Sequence, residues 1–235
     1  MSVPAGGRAD QEAGAPSRAR RRLSVSALVW TLVGSVIAGV CLFGLYRAFS
    51  AKDQPAPAPT AATEFGAIPI GSKDARTRVD VYLDMHCADC RTWEASAGPI
   101  LDEAASSGRA RVVYHPLAFL ARNSGTRYST RAAAAAGCAS ESGAYVAYQR
   151  LLFANQPPPV GEGLDEQRLI ELGKQVGAGE PFAACVREGR FEPWVTTMTT
   201  RAYNVGIKVT PTVLVDGDRI ANTDTALRDA LGSKR

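Results

Sequence analysis

Cys87-Ala88-Asp89-Cys90 follows directly on the alternating run Arg78-Val79-Asp80-Val81-Tyr82-Leu83-Asp84, and no other junction in the chain restricts the fold as strongly. Val79, Val81 and Leu83 share one side of a strand, and from Cys87 to Ser107 the apolar positions Trp93, Ala97, Ile100, Leu101 and Ala104 recur at helical spacing. Pro99 inside that run is expected to kink the helix. A helix that opens on a cysteine presents its unpaired N–H groups and the positive end of its dipole to the sulfur. The Cys87 thiolate is then favoured over the thiol. Cys90, one turn further in, can attack any mixed disulfide formed at Cys87. The pair suits thiol–disulfide exchange, with Cys87 exchanging and Cys90 resolving.

The N-terminal segment sets the compartment. Residues 1–22 are a basic tail carrying Arg8, Arg18, Arg20, Arg21 and Arg22. Residues 23–46, Leu23 to Tyr46, hold no charge and are long enough to cross roughly 30 Å of hydrocarbon as one transmembrane helix. Only Arg47 and Lys52 lie close on the other flank, so positive-inside bias puts the N-terminus in the cytoplasm and everything after Arg47 outside it. Trp30 and Tyr46 suit interfacial positions, and Cys41 within the span counts as a small hydrophobe. A cleaved secretory signal is the competing reading. The apolar stretch exceeds the roughly 7–15 residues of a signal, however, and Ala48-Phe49-Ser50 is a poor cleavage site. Under either reading most of the chain meets an oxidising environment.

Residues 47–63 are a linker, because the alternating prolines of Gln54-Pro55-Ala56-Pro57-Ala58-Pro59-Thr60-Ala61-Ala62 favour a semi-rigid extended chain and supply no core. Residues 64–235 leave about 170 positions, enough for one globular domain. The formal charge of +4 resides mostly in the tail and gives no support to nucleic-acid binding. A second strand is expected over Arg109–His115. An alanine-rich helical block spanning about 120–204 follows, with helices at Thr126–Ser140, Ala144–Ala154 and Leu164–Val176 and two shorter pieces between Pro181 and Tyr203. Pro157-Pro158-Pro159 separates the second helix from the third. Thr212-Val213-Leu214-Val215 and Arg219-Ile220-Ala221 form a hairpin around Asp216-Gly217, and Thr223–Leu231 is a terminal helix. A strand–helix–strand unit with these additions is α/β.

Asp84-Met85-His86-Cys87-Ala88-Asp89-Cys90-Arg91 after a strand, a helical insertion, and Val209-Thr210-Pro211-Thr212-Val213-Leu214-Val215-Asp216-Gly217 near the C-terminus together resemble the DsbA-like branch of the thioredoxin superfamily. The likeness runs from Glu64 to about Leu231. It implies a thioredoxin-like fold with an inserted helical subdomain, here preceded by one transmembrane helix. It also implies that Pro211 is cis beside the active-site pair and that Thr210 offers its backbone to an extended substrate, a strand-edge mode of capture. Without the cysteine pair, Pro211 would read simply as the start of an edge strand. Three departures from the family stand out. Ala88 replaces the usual proline, Asp89 replaces a histidine or aromatic residue, and His86 precedes the pair instead of lying within it. Relative to a histidine, Asp89 is expected to raise the Cys87 pKa and lower the reduction potential, with His86 able to cancel part of that effect.

Cys138 and Cys185 are the remaining exported cysteines. An even count outside the membrane favours a structural disulfide, which would close a loop of about 48 residues; two separate buried thiols are the alternative. The chain thus reads as a membrane-tethered, extracytoplasmic thiol:disulfide oxidoreductase needing no cofactor, most simply forming disulfides in exported client proteins. The family resemblance implies reoxidation by a quinone-linked membrane partner. Reduction or isomerisation is the reverse reading, supported by Thr210 before the proline and weakened by the lack of a visible dimerisation domain. A metal carrier built from Cys87, Cys90 and His86 or His115 would suit Cu(I) or Zn(II), but two histidines are few for that purpose. A non-catalytic tethered binding module would leave the spaced thiols without a use.

Overall fold

The computed structural model describes residues 25–50, 56–63 and 65–232. Two units separate near Gln54. In the first, α1 (Val25–Ser50) is a single helix of 26 residues. The expected anchor at 23–46 begins outside the described residues, and side chains of α1 are described only at 29–30 and 32–46. Among the described residues no helix is long and apolar enough to cross a membrane.

The second unit is built on a five-stranded sheet of order β1-β3-β2-β4-β5. Its strands are β1 (Ile68–Ile70), β2 (Thr77–Asp84), β3 (Ala110–Leu117), β4 (Thr212–Val215) and β5 (Asp218–Ile220). The β2 and β3 strands run parallel, with Val81 opposite Tyr114 and Asp84 opposite Leu117, and the other pairings are antiparallel. Every β2 side chain except Arg78 and Tyr82 is buried, so the alternation that marks it as a strand does not mark a wet face. The β1 strand has no counterpart among the expected elements. It is three residues long and contains Pro69, which is tolerated because β1 lies at the sheet edge. The β3 strand extends two residues past His115, through Pro116. There β1 has already ended, so the missing N–H breaks no ladder on that side.

The helix α2 (Ala88–Ser106) continues through Pro99, and Cys87 is its N-cap. It packs on β3 and on the terminal helix α8 (Asp224–Gly232). The insertion comprises a short 3-10 turn at Ala121–Asn123 and the helices α3 (Tyr128–Ser140), α4 (Tyr145–Ala154), α5 (Glu166–Gln175), α6 (Glu180–Arg187) and α7 (Glu192–Asn204), of which α3 and α7 reach β3. Two helices start later than expected for local reasons. Arg127 adopts left-handed backbone (φ 54°) and Thr126 gives its hydroxyl to the Glu162 carbonyl, so α3 begins at Tyr128. Asp165 caps α5 by accepting from the Arg168 N–H at 2.7 Å.

Cys138 on α3 and Cys185 on α6 are joined, with sulfurs 2.05 Å apart. Of the expected linker 47–63, residues 51–55 lie outside the described residues, and residues 59 and 60 pack on the domain. Pro59 is buried, and Thr60 donates to the Glu141 carboxylate through its N–H at 2.6 Å and its hydroxyl at 3.0 Å. Gly137 leaves room for this approach, since a Cβ there would lie 2.8 Å from Trp194 and 3.3 Å from Pro59.

Candidate active site

The junction of β2 and α2 places Cys87 at the helix start in extended backbone (φ −81°, ψ 118°), and its sulfur accepts the N–H of Cys90 at 3.2 Å. The peptide bond Thr210–Pro211 is cis. Its Thr210 carbonyl lies 3.4 Å from the Cys87 sulfur and accepts the thiol proton when one is present. The structure therefore brings Cys87, Cys90, Thr210 and Pro211, from opposite ends of the domain, to one place.

The two thiols are not equivalent. Cys87 is 7% exposed and Cys90 is fully buried. A hydrogen bond from the Cys90 thiol, with the Cys90 backbone N–H adding to it, brings Cys87 from an ordinary 9.0 down to about 6, against the opposing pull of burial. Cys90 moves the other way: burial pushes its pKa far up, and the neighbouring Cys87 charge adds to that. Near neutral pH the reduced site holds a thiolate at the mouth and a proton on the inner sulfur.

The carboxylate whose field opposes ionisation of Cys87 is Asp84. Asp84 is fully buried and accepts the N–H groups of His86 and Leu120, each at 2.9 Å, and burial raises its own pKa. The alternation of β2 had placed it among polar outward residues, which hid this role. Its position as the last acid before the cysteine loop was the one available signal. Asp89 is exposed on the first turn of α2. His86 is buried, its Nε2 lies 2.8 Å from the Pro158 carbonyl, and its ring meets Tyr128 edge-on at 5.2 Å. Gln156 adds two bonds of 3.0 Å, from its side-chain amide to the carbonyls of Met85 and Cys87. Nothing in the sequence singled Gln156 out.

His115 is committed elsewhere, donating to Asp80 at 2.7 Å and stacking on Tyr82. Burial resists the charge on Asp80, and Arg78 and His115 together overcome it and lower its pKa. Among the described residues no cluster of three or more His, Cys, Asp or Glu side chains could hold a metal ion.

A thiol pair at the start of a helix, facing a cis-proline turn that leads into β4, defines a thioredoxin-type redox domain. The chain belongs to the thioredoxin family: residues 63–232 match the family described as Thioredoxin. Among solved structures it is similar to the reduced disulfide bond oxidoreductase DsbG of Mycobacterium tuberculosis, with 27% identity, a TM-score of 0.65, and coverage of 74% of this chain and 89% of that one. Oxidized DsbA of M. tuberculosis gives 27% identity and a TM-score of 0.64 over 71% and 91% of the two chains. MdbA, a thiol-disulfide oxidoreductase from Corynebacterium diphtheriae, shares the fold at 24% identity and a TM-score of 0.60 over 79% and 98%. The serine/threonine-protein kinase PknE of M. tuberculosis is 28% identical over 163 residues, which is 65% of this chain but only 29% of the kinase. In fold and in the placing of its thiol pair, the domain is similar to thiol–disulfide oxidoreductases of DsbA type.

Proposed function

We propose that this enzyme is tethered to the cell membrane by residues 23–46, faces the extracytoplasmic side, and forms disulfides in exported proteins. The uncharged run behind an arginine-rich tail supports the tether. The observation that carries the direction is the asymmetry of the thiols, a Cys87 that titrates near 6 over a Cys90 that keeps its proton. Stabilising the thiolate stabilises the reduced enzyme and so makes its disulfide a better oxidant.

In the reaction a client thiolate attacks the Cys87 sulfur of the Cys87–Cys90 disulfide. Cys90 leaves with the electron pair and takes up a proton, which its buried site strongly favours. A second client thiolate then attacks the client sulfur of the mixed disulfide and expels Cys87 as a thiolate. Two electrons pass from client to enzyme, and reoxidation requires an electron acceptor, which we assign to a quinone-linked membrane protein. Thr210 and Pro211 form the platform on which the client segment lies.

Equilibration of the Cys87–Cys90 pair with glutathione buffers tests the direction. A potential well above the glutathione poise supports disulfide donation, and a potential below it assigns the enzyme to reduction or isomerisation. The threonine before the proline is the feature that favours this second reading.

A further inference from the structure

Two clefts adjoin beside the cysteine pair, and they differ in chemistry. The first, of about 360 Å³, contains Cys87 and is walled by Phe119, Leu120, Pro159 and Val209. The second, of about 490 Å³, is lined by Thr92, Ser96 and Asn222 beside Trp93 and Pro211. Asp89, Val209 and Thr210 belong to both and form the saddle between them.

The apolar wall is held in place before any client arrives. His86 binds the Pro158 carbonyl and Gln156 binds the carbonyls of Met85 and Cys87, so the Pro157-Pro158-Pro159 segment is tied to the cysteine loop. A proline has no N–H, so Pro159 offers a client no backbone donor, and with Phe119, Leu120 and Val209 around it the cleft rewards apolar side chains. The ionisable residues lining the two clefts are His86, Cys87, Asp89 and Lys208. His86 is engaged as above, and Lys208 donates to the Tyr203 carbonyl at 2.7 Å while lying over the Tyr203 ring. The Asp89 side chain is exposed and makes no hydrogen bond or ion pair among the described residues. It is a free negative charge one residue from Ala88, at the mouth of the site.

We propose, resting on the exchange role assigned to Cys87, that this site selects client cysteines by their neighbours: a large apolar residue on one side and a lysine or arginine on the other, the cation being recognised by Asp89. An extended client that directs its cysteine at Cys87 points the residues two positions away at the same surface, because side chains alternate along a strand. The apolar residue enters the cleft beneath Pro159, and the basic residue reaches across the saddle to Asp89 and the polar cleft. On this assignment Asp89 is a specificity residue.

The test uses reduced Cys90→Ala protein and synthetic peptides whose single cysteine is joined to a chromophoric aryl thiol. The Cys87 thiolate attacks the peptide sulfur, one disulfide forms as another breaks, and the aryl thiolate leaves with the electron pair and is read by absorbance. Peptides carry Leu or Ser two positions to one side and Lys or Glu two positions to the other, in both orders. In the preferred order Lys should react about threefold faster than Glu at low salt, the scale of an exposed ion pair. Leu should exceed Ser by about fivefold. Asp89→Lys should invert the Lys/Glu ratio, and Val209→Ser should reduce the Leu/Ser ratio. Ratios taken within one variant cancel any change in Cys87 reactivity. Equal rates for all peptides, or a Lys preference that survives Asp89→Lys, would overturn the proposal while leaving the exchange role intact. If no peptide reacts faster than with a simple thiol, the exchange role itself fails.

Discussion

Removing the Cys90 sulfur should raise the Cys87 pKa by a predictable amount. The leading cause of the low value is the hydrogen bond from the Cys90 thiol, and the Cys90 N–H at 3.2 Å would survive a Cys90→Ala change. A hydrogen bond to a charged acceptor is worth about 1.5–3 kcal/mol, and a thiol is a weak donor, so the lower end applies. About 1.5 kcal/mol corresponds to ~1 pKa unit. Cys87 should therefore titrate near 7 in the variant, against about 6 in the wild type. The assay follows thiolate absorbance, or the rate of alkylation, against pH on both reduced proteins. An unchanged value in Cys90→Ala would show that the helix start and the backbone N–H hold the thiolate by themselves. A wild-type value at about pH 8 or above would remove the electrostatic argument for a disulfide donor altogether. The same titration governs the potential. Below about pH 6, reduction of the disulfide takes up two protons and the potential should fall by ~59 mV per pH unit; above it, one proton and ~30 mV. At about pH 7 only the interval down to the thiolate pKa counts, so ionisation makes the disulfide more oxidising by ~30 mV.

Cys87→Ser should abolish exchange, whereas Cys90→Ser should accumulate mixed disulfides with clients, visible on non-reducing gels; wild-type turnover by Cys87→Ser would refute the assignment. Loss of the Cys138–Cys185 bond, whose partners are 47 positions apart, should lower stability to denaturant by about 4 kcal/mol through the loop it closes. A change below ~1 kcal/mol would mean that the helices hold each other without it. Glu94 is nearly buried, and burial lifts it from 4.5 to about 7 although Arg150 approaches at 3.3 Å. Because its folded value is raised, its contribution to stability is complete below the unfolded value of 4.5 and is lost as pH rises through about 7. That loss is about 3 kcal/mol, and denaturant melts of Glu94→Gln should show a flatter decline over the same interval; an identical pH profile in the variant would refute it.

The strand–helix junction and its cysteines were readable locally because both depend on short-range periodicity. Val79, Val81 and Leu83 alternate, Trp93, Ala97, Ile100 and Leu101 follow helical spacing, and a thiol between such runs falls at a helix start whatever the rest of the chain does. The helical insertion and the Asp216-Gly217 hairpin were legible for the same reason. Long-range placement was not. Pairing of β1 on β3 depends on a three-residue edge strand with too little periodicity to register. The burial of Asp84 depends on α3 and the 119–120 segment covering the second face of β2, so a residue that reads as solvent-facing becomes a buried carboxylate whose field opposes ionisation of Cys87.

The roles of the two residues flanking the site divide on the same line. Sequence proximity put Asp89 and His86 beside Cys87 as tuning groups, since neighbours in a chain are necessarily close. Tertiary structure turned Asp89 outward to the groove, and it tied His86 to Pro158, a partner 72 positions away. The chain by itself determined which atoms can exchange disulfides, because thiol chemistry and helix-start geometry are local. Only the fold decided which charges those atoms feel and which client side chains they meet, because both depend on burial and on segments that come together across the whole domain.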